Sequence, residues 1–196
     1  MRVRARRKAA APRLRPYAEG DWEAVLELSY RAFAPGYQSL ERSLGMHLDW
    51  QEGIRRHLRS LTRPGARQRL IVAEADGAVV GFVQYLLDAG EQSGSIGISA
   101  VNPAHRRRGV ALQMYRHVLD LMRARGMKYA TAETDGHSAS DPVRRAYEKA
   151  GFVPMPIVRY YADLGRPSRA AREGGPRAAA SAGPSGRRRR SPSREG

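Results

Sequence analysis

Along residues 12–164 the apolar positions alternate between a spacing of two residues and a spacing of three or four, and that alternation predicts the elements. A short strand is expected at 14–17. Asp21 then suits a helix N-cap, with Trp22, Val25, Leu26, Ser29 and Phe33 recurring on one face behind it. The Pro35-Gly36 pair predicts the end of that helix. A second helical region follows, with Leu40, Leu44, Leu48, Ile54, Leu58 and Leu61 on one side, as far as the break at Arg63-Pro64-Gly65. The clearest β signal is the pair of apolar runs at 69–74 and 79–87. They are joined through Ala75-Asp76-Gly77-Ala78, and Asp-Gly between strands marks a hairpin. Another strand is predicted over 95–101, ending at Asn102-Pro103.

A third helix opens near Gly109 with Val110, Met114, Val118, Leu121 and Met122 inward and Gly126 as its C-terminal cap. Residues 128–134 read as a strand. Asp141 and Pro142 open a short helix as N-cap and first-turn residue, and Gly151 closes it. Strands at 152–153 and 157–162 complete the pattern. The order is β-α-α-β-β-β-α-β-α-β-β, without internal repeat. It predicts an α/β (α+β) domain around a mixed, mostly antiparallel sheet of about seven strands, flanked by about four helices.

The chain has 196 residues and no Cys, which rules out a disulfide framework, a thiolate zinc site and a Cys nucleophile. No apolar run approaches the roughly 18 residues of a membrane span; the longest, 77–87, reads as strand. The Arg-rich start is not followed by an apolar stretch, so it does not fit a secretory signal, although an acid-free basic leader shares features with an organelle transit segment. A cytoplasmic location is the expectation.

The formal charge of +16 is unevenly placed. Residues 1–15 carry seven basic groups and no acid, and residues 165–196 carry nine Arg against Glu173 and Glu195, so each end holds +7 and only +2 is left for 16–164. These ends are rich in Ala, Gly, Pro, Ser and Arg and bury too little apolar surface to offset ordering entropy. The expected organisation is a disordered basic tail at 1–11, a domain at 12–164 and a disordered tail at 165–196. The run from Arg187 to Arg190 could hold anions loosely and in a salt-dependent way. No aromatic residue is interleaved with it to stack bases, so specific nucleic-acid binding is not expected.

Candidate chemistry concentrates between Val101 and Phe152. The segment VNPAHRRRGVA (residues 101–111) ends a strand and opens a helix. Amides from Arg107 through Gly109, Val110 and Ala111 to Leu112 would lie at a helix N-terminus, where they lack intrahelical acceptors. Gly109 and Ala111 let an anion approach the backbone. The helix dipole and Arg106, Arg107 and Arg108 favour negative charge. This describes a phosphate cradle, without the Lys-Ser/Thr pair of a Walker loop or the spacing of a dinucleotide fingerprint. Taken alone, the segment fits a basic helix start with a packing glycine equally well.

Three segments together resemble the GNAT superfamily of N-acetyltransferases. They are VAEADGAVVGFVQY (72–85), the cradle with Arg106, Gly109 and Ala111, and RRAYEKAGF (144–152) with its Tyr-x-x-x-Gly-Phe ending. The similarity covers roughly residues 12–164. It implies that acetyl-CoA is bound as acyl donor, without a metal. Main-chain groups of the strand ending in Ser99, Ala100 and Val101 would meet the pantetheine arm, and Arg106 to Leu112 the diphosphate. The resemblance also implies a bulge that splays this strand from the 128–134 strand, and a general-acid role for Tyr147.

The chemistry asks for more. A lysine amine with pKa near 10.4 is neutral in on the order of one molecule in a thousand at pH 7, and an α-amino group in about one in ten, so the former needs a base or water relay. The Val101 N–H can polarise the thioester carbonyl. Many relatives carry a carboxylate on the strand before the cradle, but 95–101 has none here. Glu133 is the best remaining carboxylate, with Asp135 and His137 behind it, and Ser140 stands where Asn is usual. Each reads more readily as a surface or loop-forming group than as a base. His47, His57, His105 and His117 are scattered and suggest no metal site, and Glu74 reads as a turn-flanking charge. The expected activity is direct acetyl transfer to an amine held between the 35–61 region and the 154–157 loop. The alternatives are a catalytically weak acyl-CoA-binding regulatory module and an Arg-tailed nucleic-acid binder. Monomer and homodimer are both open.

Overall fold

The computed structural model describes residues 11–63, 68–134, 140–161 and 164. Strand β1 (Arg13–Pro16) leads through a 3-10 turn into α1 (Trp22–Leu44), and α2 (Trp50–Thr62) follows. Strands β2 (Gln68–Ala75) and β3 (Ala78–Asp88) form the hairpin, with Asp76 and Gly77 both at positive φ (51° and 74°) as its tight turn requires. Then come β4 (Ser93–Val101), α3 (Val110–Ala124), β5 (Tyr129–Ala132) and α4 (Asp141–Ala150). The described sheet has five strands in the order β1-β2-β3-β4-β5, antiparallel except for the β4–β5 pair.

Two helix layers cover it. Helices α1 and α2 bury Val25, Leu26, Ile54 and Leu58 against Val72, Phe82 and Ala100. On the other face, Met114, Tyr115 and Val118 of α3 and Tyr147 of α4 pack on Ile71, Ala73, Val83 and Ile96. Burying side chains of this size contributes about 1.5–3 kcal/mol each.

Three expectations change. The first helix does not stop at Pro35 but runs to Gly45, whose φ of 65° closes it with an N–H donated to the Glu41 carbonyl. Pro35 removes one main-chain donor, a local loss. The apolar stripe continues past it: the Tyr37 ring stacks on Trp50 at 5.3 Å, and Tyr30 meets Trp50 edge-on at 6.0 Å. Leu40 and Leu44 therefore belong to α1, and the break falls between Gly45 and Asp49. Second, the strands expected at 152–153 and 157–162 do not form over the described residues, which leaves five strands rather than about seven. Pro154 and Pro156 take away two main-chain donors on the same side of that segment, so it cannot complete a ladder there. Val153, Met155, Ile157 and Val158 are exposed instead. Third, Glu74 lies within β2 and receives Arg15 Nε at 2.7 Å, while both terminal nitrogens of Arg15 reach Asp21 at 2.7 and 2.8 Å.

Packing divides the chain after Arg159; of the residues beyond it, Tyr160, Tyr161 and Leu164 are described, and all three are exposed. No helix among the described residues is long and apolar enough to cross a membrane. Most of both basic ends lies outside the described residues.

Candidate active site

The site begins with an irregularity in β4. Between the pairs Val83–Ser99 and Tyr85–Ile96, β3 contributes one residue and β4 contributes two, Gly97 and Ile98. This is a β-bulge, and its extra residue reverses the alternation of faces. Ile96 joins the α3 layer, whereas Ile98 and Ala100 join the α1–α2 layer and Ser99 turns toward α3. Gln84, 6% exposed, fills the bulge: its Oε1 accepts the Ile98 N–H at 3.1 Å, and its Nε2 donates to Gln68 Oε1 at 2.8 Å. A Cβ on Gly97 would sit 2.3 Å from Gln84 Oε1, so any larger residue must displace that amide.

The pairing of β4 with β5 ends at the same place, at Ile96–Ala132. Beyond it, among the described residues, β4 has one ladder partner instead of two. The Asn102 N–H donates to the Val80 carbonyl on the β3 side at 2.9 Å. Main-chain groups of successive strand residues alternate sides, so Val101 and Ser99 present N–H and C=O to the open edge.

The open edge leads into the cradle. A 3-10 turn, Pro103–His105, is capped by the Asn102 side chain, which accepts the Ala104 N–H at 3.0 Å. Arg107 and Gly109 then take left-handed conformations, with φ of 60° and 81°. The second is natural for glycine; the first strains an arginine by roughly 1–3 kcal/mol, a cost seen mostly at functional positions. A Cβ on Gly109 would meet nothing within 4 Å, so the space before it is open. The first backbone bond of α3 runs from the Gln113 N–H to the Gly109 carbonyl, leaving the amides of Val110, Ala111 and Leu112 without intrahelical acceptors. Arg106, Arg107 and Arg108 are exposed, and no carboxylate among the described residues pairs with them. Arg106 Nε donates to the Val101 carbonyl at 3.4 Å, which ties the cradle to the strand end.

Behind the edge lies a cluster of hydroxyls. Ser99 Oγ and Tyr115 Oη are 2.9 Å apart, and the Tyr115 and Tyr147 rings stack with centroids 4.4 Å apart. Phe152 closes on Tyr147 edge-on at 5.3 Å. Tyr147 is 7% exposed. Burial pushes its phenol well above the usual range, neighbouring Tyr115 adds to that, and Ser99 opposes it. Tyr147 therefore holds its proton at neutral pH. The arrangement joins a turn with free helix N-terminal amides and three arginines, a strand edge without a β5 partner among the described residues, and a buried, protonated phenol.

A protein-family model described as Acetyltransferase (GNAT) family matches residues 22–152. The chain belongs to this family. Its fold is also that of GNAT structures already solved. It is similar to the aminoglycoside N-acetyltransferase AAC(6')-Iy in complex with CoA, at 17% identity and TM-score 0.57, over 78% of this chain and 94% of that one. The same enzyme with the bisubstrate analogue CoA-S-monomethyl-acetylneamine gives 19% identity and TM-score 0.56, over 79% and 99%. A GNAT-family acetyltransferase from Desulfovibrio desulfuricans gives 24% identity and TM-score 0.57, over 76% and 89%. No curated protein matches the chain.

Within this GNAT domain the predicted residues fall into two groups. Ser99, Val101, the cradle from Arg106 to Leu112 and Tyr147 belong to one connected region of β4, α3 and α4. Glu133 does not join it by any contact among the described residues: its carboxylate, 65% exposed, accepts Arg159 Nη2 at 2.9 Å. Ser140 is the N-cap of α4, and its side chain makes no capping bond. Asp135 and His137 lie outside the described residues. No group of three or more His, Asp or Glu suited to a metal occurs among the described residues. A cavity of about 360 Å³ lies elsewhere, at the start of β5 between Met122, Tyr129 and Phe152. Sequence reasoning missed Tyr115 and Gln84. The signal for Gln84 was available: it is the one amide in the apolar run VGFVQYLL.

Proposed function

We propose that the protein is an N-acetyltransferase that moves an acetyl group from acetyl-CoA to a primary amine by direct attack, with both substrates bound together. The observation that carries this reading is the convergence at one gap of three features: the open edge of β4, the amides of the α3 N-terminus and the Tyr147 phenol. The family supports acyl transfer in general. The CoA complexes of the AAC(6')-Iy neighbour support the donor, and its aminoglycoside title is compatible with an amine acceptor. The domain is proposed to span 12–164, with basic tails on either side.

When bound, acetyl-CoA supplies an activated thioester. The amides of Val110, Ala111 and Leu112, with Arg106, Arg107 and Arg108 around them, hold its diphosphate by charge-assisted bonds worth about 1.5–3 kcal/mol each. Ser99 offers its outward N–H and C=O groups, and Val101 its C=O, to the amides of the pantetheine arm. The Val101 N–H donates to the carbonyl oxygen as negative charge develops there. Tyr147 delivers its proton to the sulfur as the C–S bond breaks, help of a kind that contributes typically about 10² to 10⁴-fold. The amine loses its proton through ordered water, or to Glu133 once Arg159 has released it.

Calorimetry and kinetics test this directly. CoA and acetyl-CoA should both give a heat of association, and a panel of amines should yield turnover. Tyr147→Phe should lower kcat about 100-fold while the Kd for CoA stays within about twofold, because the lost group acts on the reacting sulfur. Absence of any CoA heat would remove the basis of the proposal. A second reading, a CoA-binding module without turnover, is favoured by the missing carboxylate on β4 and the engagement of Glu133 by Arg159. Binding without turnover across the whole panel would select it.

A further inference from the structure

A cavity of about 120 Å³ lies between α1 and α2, lined by Phe33, Tyr37, Gly53, Ile54, His57 and Ile98. Ile98 is the bulge residue whose side chain the extra position turns toward this layer, and it directly precedes Ser99. The cavity and the hydroxyl cluster thus lie on opposite faces of the same short piece of β4. Past Ile96, among the described residues, no β5 partner covers the edge of β4 between those faces. An amine entering from the α1–α2 side meets the open edge from across the sheet from Tyr147.

Three observations describe what the cavity would take. Its walls are aromatic and aliphatic, and Trp50 stacked behind Tyr37 stiffens them. Its size compares with the roughly 150 Å³ of a cavity that holds one benzene ring. No carboxylate among the described residues lines it. The wall helix α2 carries Arg55, Arg56 and Arg59 against Glu52 and its N-cap Asp49; Arg55 lies 3.7 Å from Glu52, and Arg59 3.4 Å from Glu19. On α1, Glu27 and Glu41 are already engaged by Arg31 and His47. A ligand with several positive charges would gain no carboxylate from this lining, whereas an apolar group is matched by it.

Gly53 adds an independent argument. It sits inside α2, where glycine weakens a helix relative to alanine. Packing does not require it, since a Cβ there would meet nothing within 4 Å. What its missing side chain does provide is space on the cavity wall.

We infer that the acceptor is a monoamine whose non-reacting part is apolar and about the size of one ring or a short alkyl chain, and that it is seated in this cavity. His57 and Tyr37 supply the polar atoms near its nitrogen. The inference rests on the acetyltransferase reading and names the acceptor class for that site. The test uses the full chain, acetyl-CoA, and 2-phenylethylamine, hexylamine, spermidine and a polycationic aminoglycoside as acceptors. The monoamines should exceed both polycations at least about tenfold in kcat/KM, a discrimination within reach of an apolar pocket. Gly53→Leu, which fills the cavity from an open helix position, should raise the KM for the monoamines about tenfold or more and leave the Kd for CoA unchanged. Gly53→Ala should raise the melting temperature with a smaller effect on KM. Preference for the polycations, or an unchanged monoamine KM in a folded Gly53→Leu protein, would overturn the inference and leave acyl transfer intact. Failure of the unmodified protein to bind CoA would instead remove the acetyltransferase reading beneath it.

Discussion

The two sides of the sheet make opposite use of their backbone. On the β1–β3 side, β2 pairs with β3 from Gln68 to Ala75 with one irregularity at Ala73/Glu74, β1 is paired at all four residues, and a network at the edge fastens β1, β2 and the start of α1 through Arg15, Asp21 and Glu74. On the β4–β5 side the ladder stops at Ile96, main-chain groups face outward, and Arg107 is held in a left-handed conformation. One side gives rigidity and the other gives unspent hydrogen-bonding capacity. The open side keeps its shape because the closed side holds it: β3 pairs with both β2 and β4, and its Gln84 fixes the bulge. Substitutions on the closed side should therefore change stability, and substitutions on the open side should change chemistry.

The largest expected effect is on the closed side. Asp21→Asn leaves the Arg15 guanidinium with one carboxylate, and its Asp21 partner has only 8% of its side chain exposed. Breaking such a pair should cost about 2–3 kcal/mol, read from denaturant midpoints, with kcat per folded molecule unchanged. Hydrogen bonding from Arg15 lowers the Asp21 pKa, ahead of the opposing effect of burial. A depressed carboxylate contributes stability that is fully present above its unfolded pKa of about 3.9 and is lost as pH falls through the folded value. The native protein should lose stability below about pH 4 more steeply than Asp21→Asn. Equal acid sensitivity would break the link between this network and the closed edge.

The next effect compares two glycines on the same strand. A Cβ on Gly94, in the doubly paired part of β4, would meet Met122 Sδ at 2.4 Å, and one on Gly97 would meet Gln84 Oε1 at 2.3 Å. A methionine end can move aside; the Gln84 amide is held by two hydrogen bonds. Gly94→Ala should cost about 1–2 kcal/mol of stability with kcat/KM preserved. Gly97→Ala should cost a similar amount of stability and also lower kcat/KM about tenfold, since the displaced bulge carries Ser99 and Val101 out of register with the donor. Matching kinetics for the two variants would dissolve the distinction between the halves of β4.

How far the site was readable follows the same division. Local geometry was visible: Asp76-Gly77 gave the hairpin, Gly109 the left-handed start of α3, and Gly151 the end of the helix that carries Tyr147. Each depends on residues close in sequence. The bulge entered as an expectation from family likeness, but its filling by Gln84 depends on a contact between strands, which spacing within one strand does not encode. Tyr115 was missed for a related reason. It lies next to Met114 on α3, and its hydroxyl matters only because Ser99 arrives from β4. Pro35 misled because breaker rules treat the proline alone, whereas the stacking of Tyr37 on Trp50 is tertiary. The 152–162 segment misled in the opposite direction: apolar content suggested strands, and the donors missing at Pro154 and Pro156 weighed more.

Two smaller effects sharpen what the open side does. Tyr115→Phe keeps the ring that stacks on Tyr147 and removes the hydroxyl bonded to Ser99. Tyr115 helps to raise the Tyr147 pKa, second to burial, so its hydroxyl tunes the phenol that faces the reacting sulfur in the proposed mechanism. We expect kcat to fall about three- to tenfold with the KM for acetyl-CoA unchanged, the pattern of a positioning residue. An unchanged kcat would show that the hydroxyl only packs. Glu133→Gln should do least. The pair it forms with Arg159 is about two-thirds exposed on both sides, and pairs of that kind are worth at most about 1 kcal/mol. If water carries the amine proton away, kcat should fall less than about threefold at any pH. A general base in that position would instead bring a loss of about 100-fold or more that narrows as the pH is raised and the amine deprotonates unaided. The slope of that loss against pH assigns the proton's route, because only a base that works by removing the ammonium proton becomes dispensable when solvent has already removed it.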